Sequence, residues 1–201
     1  METKDWTGDT NSVFKTLGST NHSRQNRASL DYYATDPIAA KLLLEQEEFS
    51  KNIWECACGE GHLSKIFEES GYNVRNTDII DRIGNEVFDF LSEDKEMFDG
   101  DIITNPPYKY ATEFVRKALE RVEEGHKVAM FLKVLFLEGK SRRELFKKYP
   151  PCRIYVCSGR IDCAKNGDFK ALKENGGGAL AYAWFIWRKG YKGETIVKWI
   201  N

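Results

Sequence analysis

Ile53-Trp54-Glu55-Cys56-Ala57-Cys58-Gly59-Glu60-Gly61-His62-Leu63 is the stretch that decides the fold. Its first four residues predict a short buried strand, and the residues from His62 to about Ser70 predict a helix. Gly59 and Gly61 let the backbone approach a ligand closely, and the N-terminus of the following helix favours a negatively charged group. The stretch therefore predicts a strand, turn and helix of an α/β sheet, with a ligand at the turn.

A second strand, 73–78, ends in Asp78, roughly 20 residues after the glycine turn. This is the distance at which a βαβ unit places a carboxylate on the ribose hydroxyls of a nucleotide cofactor. Asp78 is accordingly the predicted ribose ligand. A dinucleotide dehydrogenase would show the same pair of features, so they do not distinguish between cofactors.

The next decisive stretch is Asn105-Pro106-Pro107-Tyr108, which follows the β-branched run 101–104 and precedes a helical pattern. Each proline fixes φ near about −65° and lacks an N–H, so the Pro106 carbonyl is held rigidly. The Asn105 side-chain oxygen is a second neutral acceptor, and Tyr108 offers a flat face for stacking. Two acceptors around a planar amine draw its nitrogen toward tetrahedral geometry and free its lone pair for attack. A proline-rich turn without a chemical role is the alternative interpretation.

The tetrapeptide resembles the catalytic motif of S-adenosylmethionine-dependent amino-methyltransferases, above all the short phage or mobile-element DNA adenine-N6 enzymes. The resemblance implies methyl transfer from S-adenosylmethionine to the exocyclic amine of an adenine flipped out of double-stranded DNA. The same motif occurs in RNA-base and protein-glutamine amino-methyltransferases, which therefore remain open. A non-catalytic nucleic-acid-binding subunit is a further alternative.

The resemblance also implies an α/β, Rossmann-like class I methyltransferase fold: a mostly parallel seven-stranded sheet with helices on both faces and an antiparallel strand near the C-terminus. The predicted strands are 53–56, 73–78, 87–91, 101–104, 127–132, 153–157 and 181–188. Residues 195–200 are a candidate for one more strand.

By the same resemblance, particular residues receive roles. The catalytic residues are Asn105, Pro106, Pro107 and Tyr108. The cofactor-binding residues are Tyr33, Thr35, Pro37, Glu55, Ala57, Cys58, Gly59, Gly61, Asp78, Ile79, Asp89, Phe90 and Asn105. Among these, Tyr33, Thr35 and Pro37 would face the methionine end, and Asp89 and Phe90 the adenine. Ala57 stands where many members of the family have their first glycine.

Positive charge is concentrated in one part of a chain whose net charge is −1. We expect double-stranded DNA to be bound by the basic run 140–153 and by an insertion at about 159–180, which carries the features of a recognition loop. The expected nucleic-acid-binding residues are Arg142, Arg143, Lys147, Lys148, Arg160, Lys165 and Asn166. A solvated helix face and an ordinary surface loop are the alternatives.

Length and composition predict one domain, residues 29–201, after a polar and mobile N-terminal arm, residues 1–28. The first residues lack the regions of a secretory signal, and no apolar run is long enough for a bilayer. Five cysteines fit free thiols in a reducing compartment. We therefore expect a cytoplasmic protein that contacts no membrane and binds no metal; the oligomeric state is not predicted.

Overall fold

The computed structural model of the chain describes residues 33–165, 167–174, 178 and 180–201. The predicted N-terminal arm, 1–28, and Asn166 lie outside the described residues. The strands are β1 (Tyr33–Thr35), β2 (Asn52–Glu55), β3 (Asn73–Asp78), β4 (Glu86–Val87), β5 (Asp101–Thr104), β6 (Lys127–Lys133), β7 (Arg153–Cys157), β8 (Cys163–Lys165), β9 (Tyr182–Arg188) and β10 (Ile196–Ile200). The helices are α1 (Ile38–Gln46), α2 (His62–Glu69), α3 (Ala111–Arg121), α4 (Lys140–Lys148) and α5 (Phe169–Glu174), and 3₁₀ turns occupy Tyr108–Tyr110 and Val134–Leu137.

The central sheet has the strand order β4-β3-β2-β5-β6-β9-β7-β10. All its pairings are parallel except those of β9, which runs antiparallel to both β6 and β7. The mostly parallel sheet and the antiparallel strand near the C-terminus are confirmed. The sheet has eight strands instead of seven, because β10 pairs in parallel with β7 and adds an outer edge.

Hydrophobic clusters cover both faces of this sheet, as predicted. On one face, α1 and α2 pack their buried side chains, including Leu43 and Phe67, against Trp184. On the other face, α3 packs Val115 in a cluster with Phe185. Trp184 and Phe185 are neighbours in β9 and point to opposite faces, since side chains alternate along a strand. Both are fully buried, which explains the continuous aromatic run.

The third predicted strand, 87–91, was too long. Pairing with β3 covers only Glu86–Val87, although the N–H of Phe88 still donates to the Asp78 carbonyl over 2.9 Å. The chain then turns at Asp89, whose carboxylate accepts the N–H of Leu91 over 2.9 Å. This local hydrogen bond to a side chain competes with the backbone hydrogen bonds between neighbouring strands and ends the strand.

The insertion at about 159–180, predicted as a loop, contains regular structure. Its strand β8 pairs antiparallel with β1, with Thr35 opposite Cys163 and Tyr33 opposite Lys165. The helix α5 follows, and the Phe169 ring contacts the His62 ring at 5.8 Å between centroids. The insertion thus contacts two elements beside the predicted cofactor site, namely β1 and the first residue of α2. None of the helices in the described part of the chain combines the length and apolar character needed to cross a membrane.

Candidate active site

The carboxyl ends of β2, β3 and β5 open onto a cavity of about 590 Å³, a volume typical of sites for small-molecule cofactors. It is lined by Tyr33, Ala34, Thr35, Glu55, Cys56, Ala57, Cys58, Gly59, His62, Leu63, Asp78, Ile79, Ile80, Arg82, Asp89, Phe90, Leu91, Asn105, Pro106, Pro107, Tyr108, Lys109, Tyr110 and Phe114. The predicted catalytic and cofactor residues therefore meet in one cavity, with two exceptions.

Pro37 and Gly61 are the two predicted cofactor residues that do not line the cavity. Pro37 directly precedes α1. Gly61 directly precedes α2 with a φ of +72°, and a Cβ added there would lie 2.9 Å from the Ile83 Cδ1 atom. The structure gives Gly61 a role in the turn, which needs its backbone conformation and its missing side chain.

The Asn105 amide is held at one end and unpaired at the other. Its nitrogen donates to Thr35 Oγ1 over 2.8 Å and to the Tyr33 carbonyl over 3.2 Å. Its oxygen, Oδ1, is buried and pairs with no donor of the described residues. Two acceptors on the nitrogen fix the orientation of the amide, so the free acceptor is the oxygen. A buried acceptor without a partner costs free energy, so such a group is a candidate for binding a ligand.

Tyr108 is anchored through its hydroxyl, which contacts Cys163 Sγ in β8 at 3.4 Å. Burial raises the pKa of Tyr108 well above its ordinary value, so the phenol stays neutral. Lys133 Nζ lies 4.9 Å from the centroid of its ring, and the Tyr182 ring is 6.1 Å away. The ring therefore has a fixed position beside Asn105.

The glycine turn and the acid of β3 are in direct contact. The N–H of Gly59 donates to Asp78 Oδ2 over 3.0 Å, and the Arg82 guanidinium pairs with Asp78 Oδ1 at 3.2 Å. Asp78 Oδ1 also accepts the N–H of Ile80 over 3.1 Å, so it is Oδ2 that keeps a second lone pair for a ligand hydroxyl. Asp78, the predicted ribose ligand, therefore lies directly beside the glycine turn in the cavity wall.

Glu55 is a buried carboxyl in the cavity wall, and Ser64 Oγ donates to its Oε2 atom. Burial raises the pKa of Glu55 to about 8, so the empty site holds a neutral acid at pH 7. A cationic ligand group beside it would favour ionisation. Burial also raises the pKa of the Cys58 thiol to about 12, which excludes a thiolate nucleophile at neutral pH.

Asp89 and Phe90 are neighbours in the chain but have different surroundings. Asp89 is exposed, whereas Phe90 is buried, with its ring 5.2 Å from Trp54 and 5.1 Å from Phe114. The buried Arg121 guanidinium donates to the Phe90 carbonyl over 3.5 Å. Phe90 thus packs in the core as well as lining the cavity, and Arg121 positions the segment.

Arg142, Arg143, Lys147, Lys148 and Arg160, five of the predicted nucleic-acid-binding residues, do not line the cavity. Arg143 and Arg160 are exposed, Lys147 pairs with Glu144 at 3.3 Å, and Lys148 Nζ lies 4.9 Å from the Tyr149 ring centroid. The Lys165 backbone belongs to β8, and Asn166 lies outside the described residues.

Arg142 requires a correction. Its guanidinium donates to the carbonyls of Phe136 over 2.8 Å, of Leu135 over 3.2 Å and of Glu138. These contacts hold Nε and Nη2 of the guanidinium against the chain's own carbonyls, so we remove Arg142 from the phosphate-binding set.

Sequence reasoning missed four residues that contact Asp78 or Tyr108, namely Arg82, Lys133, Cys163 and Tyr182. Arg82 follows Asp78 at a spacing of four, a signal that was available. The other three come from β6, β8 and β9 and meet only through long-range pairing, so no local pattern identifies them. No group of three metal-ligating side chains occurs among the described residues.

Comparisons with known proteins bear on the fold. No family model and no curated protein matches the sequence. Among solved structures, a Listeria monocytogenes protein assigned to the class I S-adenosylmethionine-dependent methyltransferases superposes with a TM-score of 0.53 at 13% identity, covering 81% of this chain and 62% of that one. A Pyrococcus horikoshii protein assigned as an RNA methyltransferase has a TM-score of 0.53 at 14% identity, covering 90% and 99%. TrmN from Thermus thermophilus has a TM-score of 0.51 at 16% identity, covering 76% and 48%.

These likenesses concern the backbone. The chain has the Rossmann-like fold of class I S-adenosylmethionine-dependent methyltransferases, as its motifs predict. It spans less than two thirds of the Listeria and Thermus proteins.

Proposed function

We propose that the protein is an S-adenosylmethionine-dependent methyltransferase that acts on the N6 amine of adenine in DNA. The observation that carries the proposal is the buried Asn105 Oδ1, which has no partner in the described chain and belongs to a residue that lines the cavity together with the glycine turn and Asp78. An oriented neutral acceptor beside a nucleotide-type site suits the binding of an amine that is to be alkylated.

The residues of the cavity fit the proposed cofactor. Asp78, fixed by the N–H of Gly59, would accept from ribose hydroxyls, and the exposed Asp89 would accept from the adenine amine. Glu55, neutral when the site is empty, would ionise beside the ammonium of the methionine part. When bound, S-adenosylmethionine supplies a methyl group on a positively charged sulfur.

The chain's own contribution to the reaction is to orient and activate the amine. Asn105 Oδ1 and the Pro106 carbonyl would accept the two N–H bonds of the target amine, which moves its lone pair out of conjugation with the ring. Tyr108, held in place by Cys163, would hold the flipped base. A strong base is not required, because the nitrogen becomes acidic once it carries the new methyl group.

An RNA base is the second candidate substrate. The motif is shared with RNA enzymes, and the Pyrococcus protein, which the chain covers almost completely, is assigned as an RNA methyltransferase. DNA remains the first proposal because the motif most resembles that of the adenine-N6 DNA enzymes.

The test is incubation with radiolabelled cofactor and, in parallel, unmethylated genomic DNA, total RNA and a protein extract. We expect label in DNA as N6-methyladenine, and we expect Asn105→Ala to lower the rate by about 10²–10³-fold, as for loss of one transition-state acceptor or donor. Asn73→Ala, which removes an exposed amide at the amino end of β3, the end opposite the cavity, is the control. Label found only in RNA or protein would reject the DNA proposal.

A further inference from the structure

The 3₁₀ turn after β6 presents two apolar side chains to solvent. Leu135 is 60% exposed and Leu137 is 46% exposed, whereas Phe136 between them is buried and contacts the Phe185 ring at 5.6 Å between centroids. One exposed leucine is ordinary on a protein surface. Two exposed leucines on one anchored turn bring apolar area close together on the surface, and this pair is here called the apolar wedge (Leu135 and Leu137).

The backbone under the apolar wedge is braced. The Arg142 guanidinium donates to the carbonyls of Leu135, Phe136 and Glu138, and the N–H of Glu138 donates to the Leu135 carbonyl over 3.1 Å. Gly139 has a φ of +115°, and a Cβ there would lie 3.0 Å from Arg142 Nη2. The turn is therefore held as a rigid platform, which reduces the entropy that its leucines would lose on binding.

The apolar wedge lies at the catalytic edge of the sheet. The residue that ends β6 is Lys133, and its Nζ lies 4.9 Å from the ring centroid of Tyr108. Leu135 is only two residues further along the chain. A partner that reaches Tyr108 from this side would therefore meet the wedge.

Positive charge accompanies the wedge. Helix α4 begins directly after the turn, and its Lys140 and Arg143 are exposed. Of the two nearby acids, Glu144 is paired with Lys147 at 3.3 Å, and Glu138 is exposed beside Leu137. The exposed cations of α4 outnumber these two acids. Apolar side chains beside an excess of positive charge match the stacked bases and phosphates of a nucleic-acid duplex better than they match an apolar protein surface.

We propose that Leu135 and Leu137 enter duplex DNA beside the target adenine and occupy the space that the flipped base vacates. The proposal rests on the proposed function, since a wedge serves only a base that has to leave a stack. We therefore expect duplex DNA to be the preferred substrate, because the bases of a single strand are accessible without being flipped out of a stack.

The test compares wild type with the double variant Leu135→Ala/Leu137→Ala on an unmethylated duplex DNA library and on its heat-denatured strands. Affinity is read by fluorescence anisotropy with sinefungin present, and methyl transfer is read separately. We expect duplex affinity and duplex methylation to fall by about tenfold or more, with single-strand values within roughly twofold of wild type. The variant Ile196→Ala/Val197→Ala, which truncates two exposed aliphatic side chains of β10, should match wild type.

The two proposals fail in different ways. If wild type methylates nothing yet prefers duplex DNA, and the double variant loses that preference, the wedge stands and the proposed reaction falls. Equal losses on duplex and single strands, or no loss, would overturn the wedge. So would a wild-type dimer that the double variant dissociates in sedimentation experiments, because the leucines would then bind a second copy.

Discussion

The amide nitrogen of Asn105 donates to the hydroxyl of Thr35 over 2.8 Å, although the two residues are 70 positions apart in the chain. Thr35 is itself buried and lies in β1, which pairs with β8. A short N-terminal ribbon, joined to an insertion from the C-terminal half, thus decides that the oxygen of the Asn105 amide is the atom left without a partner among the described residues.

Thr35 is therefore a positioning residue for Asn105. In Thr35→Val the amide loses its shorter contact and rotates more freely, so we expect kcat to fall by about tenfold while KM for the cofactor changes little. Thr35→Ser keeps the hydroxyl and should restore most of the rate. The positioning role is wrong if Thr35→Ser and Thr35→Val lose activity equally. It is also wrong if the loss appears as a raised KM for the cofactor and not as a lowered kcat.

The raised pKa of Glu55 predicts how cofactor affinity depends on pH. Because the pKa is about 8 in the empty protein, a cationic ligand must first ionise this acid. Calorimetry should show affinity rising by up to about tenfold per pH unit between pH 6 and 8 and then levelling. Glu55→Gln should remove this slope, and Glu69→Gln, at an exposed position of α2, should keep it.

The same shift predicts how stability depends on pH. A folded-state pKa above the ordinary value of 4.5 means that the folded empty protein binds a proton more tightly than the unfolded chain does. This contribution is complete below pH 4.5 and is lost as the pH rises through about 8. The melting temperature of the wild type should therefore fall relative to that of Glu55→Gln between pH 6 and 9. Parallel curves for the two proteins would contradict the assignment.

The buried Arg121 side chain supports the backbone segment that contains Asp89. The side chain is 2% exposed, lies 5.4 Å from the Phe90 ring centroid and donates to the Phe90 carbonyl. Arg121→Ala should lower the free energy of unfolding by about 3 kcal/mol, through lost packing and unpaired carbonyls. Arg116→Ala, at an exposed position of the same helix, should change it by less than about 0.5 kcal/mol. Urea denaturation measures both.

Arg142 and Arg143 are adjacent and should behave in opposite ways. Arg142→Ala removes the contacts to three carbonyls, so we expect a lower melting temperature. Arg143 is exposed, and Arg143→Ala should leave the melting temperature unchanged, weaken DNA binding several-fold and reduce the salt slope by about one. A salt titration of DNA binding separates the two variants.

Local patterns were sufficient for most of the fold and for the cavity's main residues. The glycine turn, the acid of β3 and the Asn-Pro-Pro-Tyr motif each end a buried strand, and parallel strands bring their carboxyl ends to one edge. That geometry follows from hydrophobic pattern and chain order, so Gly59, Asp78 and Asn105 could be placed together from sequence.

Two sequence predictions were wrong because they relied on local sequence pattern where contacts in the folded chain decide the outcome. The third strand was predicted too long because the Asp89 carboxylate turns the chain. Arg142 was assigned to phosphate because its sequence neighbours are basic, whereas the carbonyls that bind it belong to the preceding 3₁₀ turn. The bounds of a strand and the partner of a long side chain depend on geometry that composition does not encode.

The sequence by itself determined the class of fold, the place of the cavity and the identity of the motif residues, since these depend on periodicity and order along the chain. Only the tertiary structure decided which atom of Asn105 is free, because its nitrogen is taken by Thr35 and Tyr33. Only the folded chain likewise joined Cys163 to Tyr108. Both contacts depend on the pairing of β1 with β8, two strands that are too short and too far apart in the chain for any local pattern to register.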